Sequence, residues 1–190
     1  MYIDFSPVNN NNYNILKNIY SQHLQYINNF EENKDKINWK VLSLIPEAID
    51  ILEKNQDNID WISLSENTAA IDLLEKNLNK IDKFWFSSNT AAIPILEKHP
   101  EMIDWGGLLL NPEAYDIFEK NIDKVDWIYV SCYLLPNKTI EKLVLEHRDK
   151  VNWIYRDLAI GYHNFSETTV YIINKVSERI TNIVLEFNNH

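Results

Sequence analysis

Residues 59–80 read IDWISLSENTAAIDLLEKNLNK, and the next stretch, residues 81–102, reads IDKFWFSSNTAAIPILEKHPEM. The second repeats the first almost position for position. Working outward, the opening phrase returns as Ile37-Asn38-Trp39, Ile103-Asp104-Trp105 and Val125-Asp126-Trp127, each 22 residues from its neighbour. A further copy, Val151-Asn152-Trp153, follows after 26. A fixed period of this length is the mark of stacked units whose apolar faces are covered by their neighbours.

Numbering each unit from its Ile makes the physical roles legible. Position 6 is Leu42, Leu64, Phe86 and Leu108, and position 12 is Ala48, Ala70, Ala92 and Ala114. Positions 13, 15 and 16 are apolar throughout: Ile49, Ile51 and Leu52; Ile71, Leu73 and Leu74; Ile93, Ile95 and Leu96; Tyr115, Ile117 and Phe118. Spacings of three and four put these side chains on one helical face. An Ala at every position 12 lets a neighbouring helix come close.

The boundaries are written in polar residues. Asn38, Asp60, Asp82, Asp104, Asp126 and Asn152 at position 2 suit the N-cap of a first short helix. Pro46 and Pro112 at position 10, each followed by Glu, suit the first turn of a second helix, with Thr68 and Thr90 as caps in the same place. Asn55, Asn77 and Asn121 at position 19 suit a left-handed C-terminal cap. The unit is thus a short helix, a turn and a second helix of about three turns. Pro94 falls inside the second helix of the third unit, so a kink or a late start is expected there.

The expected fold is all-α: an α-solenoid of short two-helix repeats, of either hand, with N- and C-terminal helical caps. Residues 1–36 form an N-terminal arm and capping helix carrying Leu16, Tyr20, Leu24 and Ile27; residues 37–155 are the repeat array; residues 156–190 are a C-terminal cap, all in one continuous domain. The last segment has Val170, Ile173, Val176, Ile180, Ile183 and Phe187 at helical spacing, although its Thr, Val and Ile content leaves a strand as an alternative. From residue 125 onward the second helices lose register and lengthen, with one expected from Thr139 to His147.

These units resemble the short helical repeats, IDW-x-x-LS-x-N-x-x-AI-x-LLEKN-x-x-K, that occur in many copies in proteins of large double-stranded DNA viruses. Residues 59–80 match that pattern nearly throughout, residues 37–124 well and residues 125–155 loosely. The third unit departs from it, with Lys83 in the place of Trp and Trp85 two residues on. The resemblance implies a helical repeat fold and a viral source, and it carries no catalytic residues to transfer. The function it implies is non-enzymatic protein–protein interaction, as a structural or scaffolding part of a virus particle. The alternative is an adaptor that binds host proteins in the infected cell, as ankyrin-type arrays do.

Composition narrows the classes. A net charge of −10, with no run of Lys or Arg, argues against a nucleic-acid surface, which needs basic side chains to neutralise phosphates. A single cysteine, Cys132, allows no intrachain disulfide and no thiolate cluster, and suits a buried small apolar residue. No apolar run is long enough to span a membrane and the start lacks a signal-peptide pattern, so the expected location is intracellular and soluble, in the virion or host cytoplasm. The five His residues show no ligand spacing, and there is no phosphate-binding or nucleophile motif. No catalytic, cofactor or metal site is expected.

Two recurring features invite functional readings and are better explained structurally. Stacked units would space the Asp residues of position 2 about 10 Å apart, too far for a shared metal shell, so they read as helix caps. The Trp residues of position 3 keep a fixed phase beside Ile and Leu, which suits packing between units better than base stacking. Partner recognition belongs where units differ, at positions 4 and 5. There Gly106 and Gly107 lie between Phe84 and Trp85 on one side and Ile128 and Tyr129 on the other, a dip bordered by aromatics that would anchor a protein partner. The competing reading puts the same aromatics in the core.

Overall fold

The computed structural model describes residues 10–132 and 137–152, the side chains of residues 10–17, 20 and 132 apart. Among the described residues the chain is all helical, with no strand. The C-terminal cap expected over 156–190, together with Trp153, Tyr155 and the arm before residue 10, lies outside them.

A long helix, α1 (Asn10–Asn28), and a single turn, α2 (Phe30–Asn33), precede the repeats. The first helices are α3 (Trp39–Leu44), α5 (Trp61–Glu66), α7 (Lys83–Ser88), α9 (Trp105–Leu108) and α11 (Trp127–Cys132). The second helices are α4 (Ile49–Lys54), α6 (Ile71–Glu75), α8 (Ile93–Lys98), α10 (Tyr115–Lys120) and α12 (Lys138–Glu146). In space α1 lies on α3, and α3, α5, α7 and α9 pack on one another in chain order, with α10 on α12.

The caps at position 2 form as the sequence implies. The Asn38 carboxamide accepts from the Lys40 and Val41 amides, and Asp60, Asp82, Asp104 and Asp126 accept from those of Ser63, Trp85, Gly107 and Tyr129 at 2.7–3.0 Å. Each bond satisfies an N–H that a six-residue helix cannot supply internally.

The second helix is shorter than its apolar stripe implies. Pro46–Ala48, Thr68–Ala70 and Thr90–Ala92 are 3-10 turns, and α-helix begins only at position 13. Apolar spacing over twelve residues does not distinguish one continuous helix from a 3-10 turn feeding two α turns. This late start is shared by α4, α6, α8 and α10, so Pro94 sits in the first turn of α8, where its missing N–H costs nothing and the helix needs no kink. The caps of these turns are Asn67 and Asn89, which accept from the Ala69 and Ala91 amides, one residue before the expected Thr68 and Thr90. At position 19 no residue takes the left-handed conformation. Asn55, Asn77 and Asn121 instead donate their carboxamide N–H to the carbonyl four residues back, at 2.7–2.9 Å.

The apolar stripes meet in one core. Leu42, Leu64, Phe86 and Leu108 at position 6 are fully buried, as are Ala48, Ala70, Ala92 and Ala114 at position 12 and Leu52, Leu74, Leu96 and Phe118 at position 16. Burying each Leu removes enough apolar surface from water to contribute about 2 kcal/mol. At the head of the stack α1 seals this core with Ile19 and His23, while Leu24 and Ile27 lie half-buried against it.

The 26-residue step resolves into a regular unit with an insertion. Asn137 caps α12 by accepting from the Ile140 amide and reaches back to the Leu109 and Leu110 carbonyls. Asn111 likewise reaches back to the Ser87 carbonyl across 24 residues, and the Asn137–Leu109 bond spans 28. The difference is the four residues 133–136: the period slips by four after residue 125, as the sequence implied, α12 is longer than the other second helices, and the pairing resumes at Asn137. Deleting residues 133–136 joins Cys132 to Asn137 and restores the regular spacing from Ser131. That variant should keep wild-type helical circular dichroism and one cooperative thermal transition; a non-cooperative melt would show that the insertion carries part of the junction.

Candidate interaction surface

The six residues expected to frame a partner site do not share an exposed surface. Phe84, Trp85 and Tyr129 retain only 3%, 6% and 4% exposure, and Gly107 is buried; Gly106 is half-buried and only Ile128 is substantially exposed, at 43%. Position 5 points into the stack in every described unit: Val41, Ser63, Trp85, Gly107 and Tyr129 are all buried. Large and small residues alternate there from Ser63 to Tyr129, the way close-packed layers interdigitate. Phe84 and Trp85 meet edge to face at 5.0 Å. The dip is therefore a closed contact rather than a pocket, and the reading that put these aromatics in the core describes them.

Gly107 makes that contact possible. A Cβ at this residue would stand 2.2 Å from the Phe84 carbonyl oxygen and 2.9 Å from its carbonyl carbon. Backbone cannot rotate aside as a side chain can. Gly107→Ala should therefore force α9 away from α7 and destabilise the fold by about 2–3 kcal/mol or more, read as a lowered urea midpoint; an unchanged midpoint would mean the two helices do not approach this closely.

What the sequence does not disclose locally is a polar stitch between units. The Ser43 hydroxyl donates to the Trp39 carbonyl within its own helix and accepts the Asp60 amide of the next unit at 3.1 Å. Ser65 does the same toward Trp61 and Asp82, and Ser87 accepts the Asp104 amide at 2.8 Å. Coming back, Asn67, Asn89 and Asn111 donate to the Ser43, Ser65 and Ser87 carbonyls at 3.0–3.1 Å, while their oxygens cap the following turn. Each Ser binds forward and each Asn binds backward. All are at most 2% exposed. The available signal is the recurrence of Ser at position 7 (Ser43, Ser65, Ser87) and Asn at position 9 (Asn67, Asn89, Asn111), whose partners lie 17 and 24 residues away.

Ser63 and Ser65 make a controlled contrast, both fully buried in α5. Ser65 holds the Asp82 amide, whereas the Ser63 hydroxyl has no hydrogen-bond partner among the described residues. Removing a partnered hydroxyl strands a backbone N–H; removing an unpartnered one relieves a desolvated polar group. Ser65→Ala should cost about 1–3 kcal/mol, and Ser63→Ala should be neutral or stabilising, both by denaturant unfolding. Equal losses would sink this distinction.

The outer face is acidic. Asp50, Asp72 and Asp116 at position 14 and Glu53, Glu75, Glu97 and Glu119 at position 17 are exposed, each of these Glu followed by an exposed Lys at position 18. Some of this charge is paired between units: Lys98 with Glu75 at 3.4 Å, Lys120 with Glu97 at 3.1 Å and Lys138 with Glu113 at 3.3 Å. Such exposed pairs add little stability. The half-buried Trp residues serve packing, Trp39 against Phe30 at 6.0 Å and Trp105 against Phe118 at 5.8 Å, while Lys80 lies 4.6 Å over the Trp61 ring. Among the described residues no group of His, Cys, Asp and Glu could hold a metal ion, and no helix is long and apolar enough to cross a membrane. No family model matches the chain, and no curated protein or solved structure matches it.

Proposed function

We propose that this chain is a non-enzymatic α-solenoid that mediates protein–protein interaction, as a structural or scaffolding component of a large DNA virus particle. The observation that carries the architectural part is the two-way stitch: the same Ser and Asn bonds recur from unit to unit at separations of 17 and 24 residues. A bond set that repeats with the sequence period relates one unit to the next in the same way each time, which supports the solenoid reading. The viral assignment rests on the resemblance of residues 37–124 to repeats of large DNA virus proteins.

The interaction reading follows from where the side chains go. Most apolar side chains are buried between units, and the outward positions 14, 17 and 18 offer partners an acidic face that suits a basic surface. Chemical cross-linking with quantitative mass spectrometry on purified virus particles tests the proposal. Stoichiometric recovery, with cross-links from Lys54, Lys76, Lys98 or Lys120 to other virion proteins, is the expected result. Absence from particles, with abundance in infected-cell extract and links to host proteins, would replace it with the adaptor reading.

A further inference from the structure

His23 occupies, at the head of the stack, the role that serine plays between units. Ser43, Ser65 and Ser131 each donate to a carbonyl four residues back and accept the amide at position 2 of the next unit. The His23 ring does both with its two nitrogens: Nδ1 lies 2.9 Å from the Ile19 carbonyl oxygen, and Nε2 accepts the Asn38 amide at 3.2 Å. Asn38 is the N-cap of α3, just as Asp60 caps α5 and receives Ser43. A carbonyl facing Nδ1 and an N–H facing Nε2 leave one arrangement, the neutral ring with its hydrogen on Nδ1. A hydroxyl keeps its acceptor lone pair through this pH range; an imidazole loses its acceptor on protonation, because both nitrogens then donate.

We propose that the junction between α1 and the first repeat is a proton-controlled latch: protonation of His23 at Nε2 removes the acceptor for the Asn38 amide and releases α1 from α3. The imidazole is 2% exposed, so water cannot take over the lost bond while α1 stays docked. Its ring faces Tyr26 edge-on at 5.5 Å on its own helix and the Asn38 amide from the loop before α3. Of the charged groups on the packed elements, Glu31, Glu32, Lys34, Asp35 and Lys36 are exposed and Lys40 on α3 is half-buried. Burial lowers the His23 pKa from its ordinary 6.5, the Ile19 carbonyl opposes it in part, and no charged side chain contributes. The docked state therefore binds fewer protons than the undocked one below pH 6.5, so acid weakens docking. The docking constant falls roughly tenfold per pH unit from about 6.5 down to the docked-state pKa. Release bares Ile19, which is buried when α1 is docked.

Amide hydrogen exchange of α1 and of Asn38 to Val41, corrected for intrinsic rates, tests this at pH 7.5 and 5.5 in the wild type and in His23→Gln. Gln keeps a donor and an acceptor and does not titrate. Wild-type protection should drop about tenfold in acid, while the variant's protection stays level. The same acid loss in both proteins would overturn the latch. Should Gln fail to dock α1 even at pH 7.5, the ¹⁵N titration of the wild-type imidazole decides: Nε2 unprotonated to well below pH 6.5 supports the latch, and an ordinary or raised pKa refutes it.

Discussion

Everything in this fold answers to the poverty of short helices. An α-helix leaves its first four N–H groups and last four carbonyls without internal partners, so a six-residue helix has almost no interior. The first helices here are four to six residues long. Alone they would be unstable in water. Each unit becomes viable because its open ends are completed from outside: a carboxylate or carboxamide at the N-cap, 3-10 or other turns at the ends, and a serine, asparagine or, for α3, His23 of the neighbouring element. Packing supplies most of the stabilisation, but the polar stitch dictates where each unit must lie.

That requirement explains the period as well. A Ser at position 7 must reach position 2 of the next unit, and an Asn at position 9 must reach back to the same Ser carbonyl. Two bonds running in opposite directions fix one unit's translation against the other; a slip would break both and strand buried polar groups, each costing about 1–3 kcal/mol. The first unit shows the rule by exception. Its position 9 is the fully buried Ile45, because what precedes it is α1 and not a repeat offering a serine carbonyl.

The features legible in the sequence were those whose causes are local. Ile, Leu and Ala at helical spacing and the N-caps at position 2 act within one unit, so the period exposes them directly. The length of the second helix was not legible, because 3-10 and α turns bury nearly the same stripe, and Asn at position 19 fits both a left-handed cap and the side-chain bond it makes. The stitch stayed hidden because its partners lie 17 and 24 residues apart. The aromatic dip failed for a related reason: variation at position 5 looked like a surface, whereas Trp85 and Tyr129 vary in size to fit Ser63 and Gly107 along the stack. Position 5 holds no charged residue in any of the units from Val41 to Tyr129, and that absence was the sign that it faces inward.

The junction between the fourth and fifth units shows which quantity the fold protects. Leu109 stands where the other units have serine, and four residues are inserted after Cys132. One bond of the stitch is kept there and others are added. Asn137 forks to the Leu109 and Leu110 carbonyls, while Thr139 donates to the Asn111 carbonyl and accepts the Ala114 amide. On the flank, the Tyr115 hydroxyl donates to Glu146 at 2.5 Å, and Lys142 lies 3.7 Å over its ring. The Glu146 hydrogen bond, first, and burial, second, push the Tyr115 phenol above its ordinary range. Leu109 replaces serine at this junction, yet Asn137 keeps the backward bond and Ser131 still receives the Asn152 amide at 2.8 Å. Register outlasts the residues that enforce it elsewhere, because an apolar stripe shared by all units tolerates a change of fastener but not a change of phase.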